Sequence, residues 1–195
     1  MHDQLFAAAA AGDISTVESL LAQGANINAR DKGKQTPILV AAQNKQYDMI
    51  RYLASKGADI NAQCNKNFNP FIHGCITNDP ELVRLMVSLG TDLTRLTRFG
   101  GNGLTPAAEK GHEEIVKFLL ENTDINVNLT NTVGWTALIE AIILNDGGEK
   151  MQRIIRMLLE HGADPRMTDE WGVPPVELAR RKGYMEIVAI IEEYL

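Results

Sequence analysis

One short segment returns along the chain at a fixed interval. Gly24-Ala25-Asn26-Ile27-Asn28, Gly57-Ala58-Asp59-Ile60-Asn61 and Gly90-Thr91-Asp92-Leu93-Thr94 lie 33 residues apart, and Gly162-Ala163-Asp164-Pro165 follows after a longer gap. A second marker keeps the same register. Thr36-Pro37-Ile38-Leu39 is matched by Asn69-Pro70-Phe71-Ile72, with variants at Asn102-Gly103-Leu104, Thr136-Ala137-Leu138 and Pro174-Pro175-Val176. Asp3-Gln4-Leu5-Phe6 opens a first unit in the same frame, which makes six. A unit this short cannot bury its own apolar face, so the units must stack on one another and share a continuous core.

Each marker has a local physical purpose. Thr36 and Asn69 are good helix N-caps, and a proline after the cap fits the first helical position, where its missing N–H costs nothing. The small pairs Ala41-Ala42, Gly74-Cys75 and Ala107-Ala108 allow neighbouring helices to approach closely. A second helix follows, with apolar residues at helical spacing, as in Met49, Ile50 and Leu53 or Ile115, Val116 and Leu119. Gly57 and Gly90 end that helix in the left-handed conformation that glycine adopts at least cost. The segment from about Asn61 to Phe68 turns into the next unit.

The Thr-Pro start, the Gly-Ala-Asp end and the 33-residue helix-turn-helix period closely resemble the ankyrin repeat, over residues 3 to 195. The small stand-alone bacterial members of that family are the most similar. The resemblance implies an all-α solenoid of about six helix pairs in a single domain over 1–195, with repeats at about 3–30, 31–63, 64–96, 97–130, 131–168 and 169–195. It also implies hairpin-like fingers and a concave face that binds a protein partner.

The fourth and fifth units depart from the pattern. Thr105-Pro106 lies three residues late, and Pro106 at the fourth helical position would remove the first intrahelical hydrogen bond. That helix is expected either to tolerate the loss or to start late, capped by Thr105. Asn122-Thr123-Asp124 lacks the terminal glycine, which makes the fourth unit the expected weak joint. The fifth unit carries five extra residues, placed at Asn145–Lys150 between its helices and away from the fingers. In the last unit Arg180 and Glu177 put charge where interior units are small or apolar, as an outer face with no following repeat requires.

Candidate chemistry is sparse. Cys64, His73 and Cys75 match no usual zinc spacing, and Cys75 stands in for a core alanine. His112 follows Gly111 at an inter-helix turn, a structural position, and Glu109, Glu113 and Glu114 read as a solvated helix face. Gly100-Gly101-Asn102-Gly103 is read as a turn rather than an anion site. No catalytic residue, metal or cofactor is expected. The net charge of −6 argues against general nucleic-acid binding, and no apolar run is long enough for a membrane span. Ala7 to Ala11 form an alanine run, but Met1-His2-Asp3-Gln4 carries no Lys or Arg, so a leader is not expected. Two cysteines without a disulfide pattern favour the cytoplasm.

The fingers are more informative. Windows 28–35, 61–68 and 94–101 carry +2, +1 and +2, whereas 128–135 is neutral and 166–173 is −1. The first three fingers are thus basic on an acidic chain. Phe68, Phe99, Trp135 and Trp171 also fall there, including both tryptophans of the sequence. Aromatic residues and arginines dominate interface affinity. The function read from this is non-catalytic binding of a protein partner by a chain that is monomeric alone. Trp135 and Trp171 are the expected anchors across fingers two to five, with Arg95 and Arg98 meeting acidic groups and Phe68 and Phe99 adding contact. Finger-to-finger packing is the other reading of these aromatics. A regulatory or inhibitory subunit of an enzyme is a special case of the binding function, and an enzyme on a repeat scaffold is the alternative from another class.

Overall fold

The computed structural model describes residues 1–195, and the chain is helical throughout, without a strand. Two compact units divide it, Met1–Asp92 and Leu93–Leu195. The first holds three helix pairs: α1 (His2–Ala11) with α2 (Ile14–Ala22), α3 (Pro37–Gln43) with α4 (Tyr47–Ser55), and α5 (Pro70–Thr77) with α6 (Pro80–Ser88). The second holds α7 (Leu104–Glu109) with α8 (Glu113–Asn122), α9 (Ala137–Ile143) with α10 (Glu149–Glu160), and α11 (Pro175–Arg181) with α12 (Met185–Glu192). Within each unit the first helices of successive pairs lie against one another, α1 on α3 on α5 and α7 on α9 on α11.

The caps form as the sequence dictates. The Thr36 hydroxyl accepts from the Leu39 N–H at 3.4 Å, the Asn69 amide oxygen from Ile72 at 2.8 Å and the Thr136 hydroxyl from Ile139 at 3.3 Å. All three capping residues are buried, so each bond also satisfies a polar group that water cannot reach. The small residues do what their size suggests. A Cβ on Gly74 would come 3.0 Å from Val83 Cγ2 and 3.3 Å from the Leu82 side chain, so the missing side chain lets α5 pack closely on α6. At Gly57, with φ 87°, the helix closes and the Ala58 N–H bonds the Leu53 carbonyl at 3.0 Å. The asparagine ending the recurring segment ties one repeat to the next: the Asn28 side-chain oxygen accepts from the Asp59 N–H, and that of Asn128 from Asp164, each at 2.8 Å.

The fourth repeat is repaired rather than broken. Regular repeats carry a bond from the residue four beyond the cap to the cap carbonyl, Val40 to Thr36, His73 to Asn69 and Glu140 to Thr136, at 2.9–3.0 Å. Pro106 occupies that place and cannot donate, so the hydrogen-bonded helix begins one residue on, at Leu104. The residue before the helix is Gly103, and it is Asn102, not Thr105, whose side chain bonds the first helical N–H. The Asn102 oxygen accepts from the Leu104 N–H at 3.1 Å, while its amide donates to the Asn126 carbonyl at 2.8 Å.

At the other end of that repeat the glycine is replaced by a hydroxyl. Thr123 Oγ1 donates to the Leu119 carbonyl at 2.6 Å and accepts from the Ile125 N–H at 3.3 Å. The carbonyl that Ala58 serves in its own repeat, that of Leu53, is the counterpart of Leu119. The expected weak joint is therefore reduced to the single backbone bond lost at Pro106. Thr123→Val, which keeps the shape and deletes the hydroxyl, should lower the unfolding free energy by about 1 kcal/mol. Urea denaturation measures it, and an unchanged midpoint would mean that the hydroxyl does not replace the glycine.

The extra residues of the fifth repeat divide. Two lengthen the loop between α9 and α10, and three lengthen α10, which has 12 residues against 9 in α4. The loop is held by its neighbours: Tyr184 Oη donates to the Asn145 carbonyl at 2.6 Å, and the Asn145 amide donates to the Glu109 carbonyl at 2.9 Å. In the last repeat Arg180 is exposed and pairs with Glu177 at 3.0 Å and Glu192 at 3.1 Å.

Candidate protein-interaction surface

The fingers share one construction. The main-chain N–H of Asp31, Cys64, Thr97, Asn131 and Asp169 donates to the carbonyl four residues on, that of Gln35, Phe68, Gly101, Trp135 and Val173, at 2.8–3.1 Å. The side chain of that same first residue organises the turn. Asp31 accepts from the Gln35 N–H, Asn131 from Val133 and Trp135, and Asp169 from Trp171 and Val173. Even the Cys64 sulfur serves this way, 3.4 Å from the Lys66 N–H. The sequence alone hides this position because Asp, Cys, Thr, Asn and Asp share no chemistry by name, although each can accept a hydrogen bond. Neighbouring fingers also bond within each unit, Asn65 N–H to the Gly33 carbonyl and Thr132 N–H to the Phe99 carbonyl, at 2.9 and 2.8 Å. The loops are thus ordered in advance, which reduces the entropy a partner must overcome.

Two positions on each finger carry the aromatic residues, and they differ in exposure. The tip position is Gly33, Lys66, Phe99, Val133 and Trp171 in chain order. Of these, Phe99 is 59% exposed, Val133 40% and Trp171 70%. The returning position stands directly before the helix cap and holds Phe68 and Trp135, both half-buried. The Trp135 indole nitrogen is fully buried and has no hydrogen-bond partner. Removing Trp135 would therefore disturb packing, whereas Trp171 stands largely in solvent. Arg95 and Arg98 are exposed on the third finger, and the Arg98 guanidinium lies 4.5 Å from the centre of the Phe99 ring. That stacking holds a cation and an aromatic together at one tip.

Elsewhere the groups singled out in the sequence are structural. Gly101, Asn102 and Gly103 are buried, and Asn102 spends its polar atoms on the fold, so the segment is a tight turn with no anion cradle. Burial pushes the Cys75 thiol well above its usual range, and Cys64 and Cys75 are both reduced and buried. No three His, Cys, Asp or Glu side chains gather as a metal site would require, and no helix is long and apolar enough to cross a membrane.

The family described as ankyrin repeats (3 copies) matches residues 5–97 and again residues 73–169. The chain belongs to the ankyrin-repeat family. Its relatives include the putative ankyrin repeat protein YahD of Escherichia coli K12, 50% identical over 184 residues, a span of 94% of this chain and 92% of that protein. A solved ankyrin repeat domain from Acinetobacter baumannii AYE superposes with a TM-score of 0.90 at 37% identity, over 97% of this chain and 96% of the other. The ankyrin repeat protein EF0377 gives 0.91 at 34% identity, over 100% and 99%. The fold is accordingly an ankyrin solenoid, and ankyrin repeats are in general protein-interaction modules.

Proposed function

We propose that this ankyrin-repeat protein is a non-catalytic binding module, and that it recognises a protein partner through the tips of the fingers in its second unit. The observation that carries this reading is the series Phe99, Val133 and Trp171, an apolar side chain exposed at the same register position of three successive fingers. Regular packing has no use for them there. The first unit carries Gly33 and Lys66 at that position. Arg98, stacked on Phe99 and making no hydrogen bond to the protein, supplies a directional cation beside the first of the apolar tips.

The double variant Phe99→Ser/Val133→Ser tests the reading. Both side chains are exposed, so the melting temperature should move little. A central interface side chain typically contributes about 2 kcal/mol or more, near 30-fold in Kd. Proteins retained by the tagged wild-type chain in its native cells, identified by mass spectrometry, should be lost or strongly depleted with the variant. Binding that survives both substitutions would move the interface away from the tips. The Arg98 contribution should shrink with added salt, since exposed charges are screened over about 8–10 Å at ordinary ionic strength.

A further inference from the structure

The second unit has a groove of about 370 Å³ whose apolar wall is made by Trp135, Ile143, Trp171, Val173 and Leu178. It opens between the fourth and fifth fingers and the facing ends of α9 and α11. Its volume sits at the small end of the range for side-chain and ligand pockets, about 300–1,000 Å³. Both tryptophans of the chain line it. Three charged residues line it. Arg181 and Lys182 are its two cations, and the single carboxylate that lines it is Asp169. Asp169 is buried and turned into its own finger, where one oxygen accepts from the Trp171 and Val173 N–H groups. Lys182 is held by the main-chain carbonyls of Ile143 and Asn145 at the end of α9. Arg181 is different. Its Nε pairs with Glu177 at 3.1 Å, its side chain is 61% exposed, and its two amino groups have no partner in the chain.

We infer that this groove seats one bulky apolar side chain of a partner segment, and that a neighbouring Asp or Glu of the same segment is taken by the open amino groups of Arg181. The inference rests on the binding reading above and names the chemistry of the partner: an acidic segment with an apolar anchor. Two indoles and three aliphatic side chains give the anchor an apolar surface to cover. The planar Arg181 fork gives the carboxylate a two-bonded seat. A basic segment would instead place its cation against Arg181 and Lys182, where the two nearby carboxylates are already engaged, Glu177 by Arg180 and Arg181 and Asp169 by its own finger. The buried Trp135 indole N–H, which lacks an acceptor, has a backbone carbonyl of the incoming segment as its natural partner once the wall shifts to admit it.

A random dodecapeptide library displayed against the immobilised full chain tests this. Enriched sequences should carry Leu, Ile, Met or Phe with an Asp or Glu within three residues. Enrichment should fall at least tenfold on Trp171→Ala, a variant expected to stay folded because that side chain is 70% exposed. On Arg181→Gln the apolar residue should persist among the selected sequences while the acidic preference disappears. A synthetic copy of a selected peptide should shift the emission of the wild-type chain, whose only two tryptophans line the groove. Basic or purely polar selected sequences, equal enrichment on Trp171→Ala, an unmoved emission spectrum or no enrichment at all would each overturn the assignment. If cellular proteins are still captured through Phe99 and Val133 while no peptide is enriched, the groove assignment falls and the finger reading stands.

Discussion

Phe71→Ala is expected to lower the unfolding free energy by about 3–5 kcal/mol, the usual cost of truncating a buried aromatic ring. Phe71 heads the fully buried side chains of the chain by volume and has no exposed surface. It stands on the second residue of α5, at the register position held by Ile38, Leu104 and Leu138 in other repeats, all of them essentially buried. The backbone there is fixed on one side by Pro70 and the Asn69 cap. On the other, the close crossing of α5 and α6 at Gly74 leaves little freedom for neighbouring helices to collapse into the space. Phe71→Leu, which restores the side chain used at Leu104 and Leu138, should recover most of the loss. Urea denaturation gives the magnitude, and amide exchange gives the location. Contacts in a repeat array are nearest-neighbour, so protection should fall first across α3 to α6. A loss below about 1.5 kcal/mol would show that the core around α5 relaxes around the missing ring.

That position was legible from the sequence because it recurs. Anything fixed by the 33-residue register could be read in advance: the caps at Thr36, Asn69 and Thr136, the small pairs on the first helices, and the glycine at the end of the second. Local motifs that ignored the register misled. Thr105-Pro106 looks like a helix start when read alone, whereas counting from Asn69 leads to Asn102, whose oxygen takes the first N–H of α7. The hydroxyl at Thr123 could not be foreseen as a substitute for glycine, since its bond to Leu119 depends on how the chain leaves α8. The aromatics are an intermediate case. Composition put Phe68, Phe99, Trp135 and Trp171 on fingers but did not separate tip from return. The register does, because the return position is tethered to the following helix start and the tip is not. The Trp135–Trp171 groove was the least legible feature. It needs two fingers and two helices in place before Trp135 and Arg181 line one space.

The stability of this protein should fall as pH rises from about 5 to about 8, and Glu140→Gln should abolish most of that fall. Glu140 interrupts the apolar run Leu138-Ile139-Glu140-Ala141-Ile142 on α9 and is buried there. Burial pushes its carboxyl up to about 7 from an ordinary value of 4.5, the Asn131 amide works against that rise, and the Glu109 carboxylate adds to it. Between those two values the folded chain holds a proton that the unfolded chain has released. The folded state therefore binds more protons, and stability declines through this window and levels off above it. Each pH unit that separates the folded from the unfolded value is worth about 1.36 kcal/mol, so the decline between pH 5 and pH 8 is about 2–3 kcal/mol. The Asp13 carboxyl, held at about 2 by the Thr16 and Ser15 bonds, acts with the opposite sign at more acidic pH, outside this range. His73, held below its usual value by burial, also opposes the fall near the lower edge, so the readout is the difference between the two chains. Glutamine keeps the oxygen that receives the Asn131 amide at 2.6 Å and cannot ionise. The two proteins should unfold at similar urea concentrations at about pH 5, with the variant the more stable at about pH 8. Parallel curves across the range would show that Glu140 is ionised in the folded chain at every pH tested. The fourth finger should be unmoved in either case. Ionising Glu140 strengthens its bond from the Asn131 amide, and Asn131 keeps its oxygen on the Val133 and Trp135 N–H groups, so tryptophan emission should stay constant while stability changes.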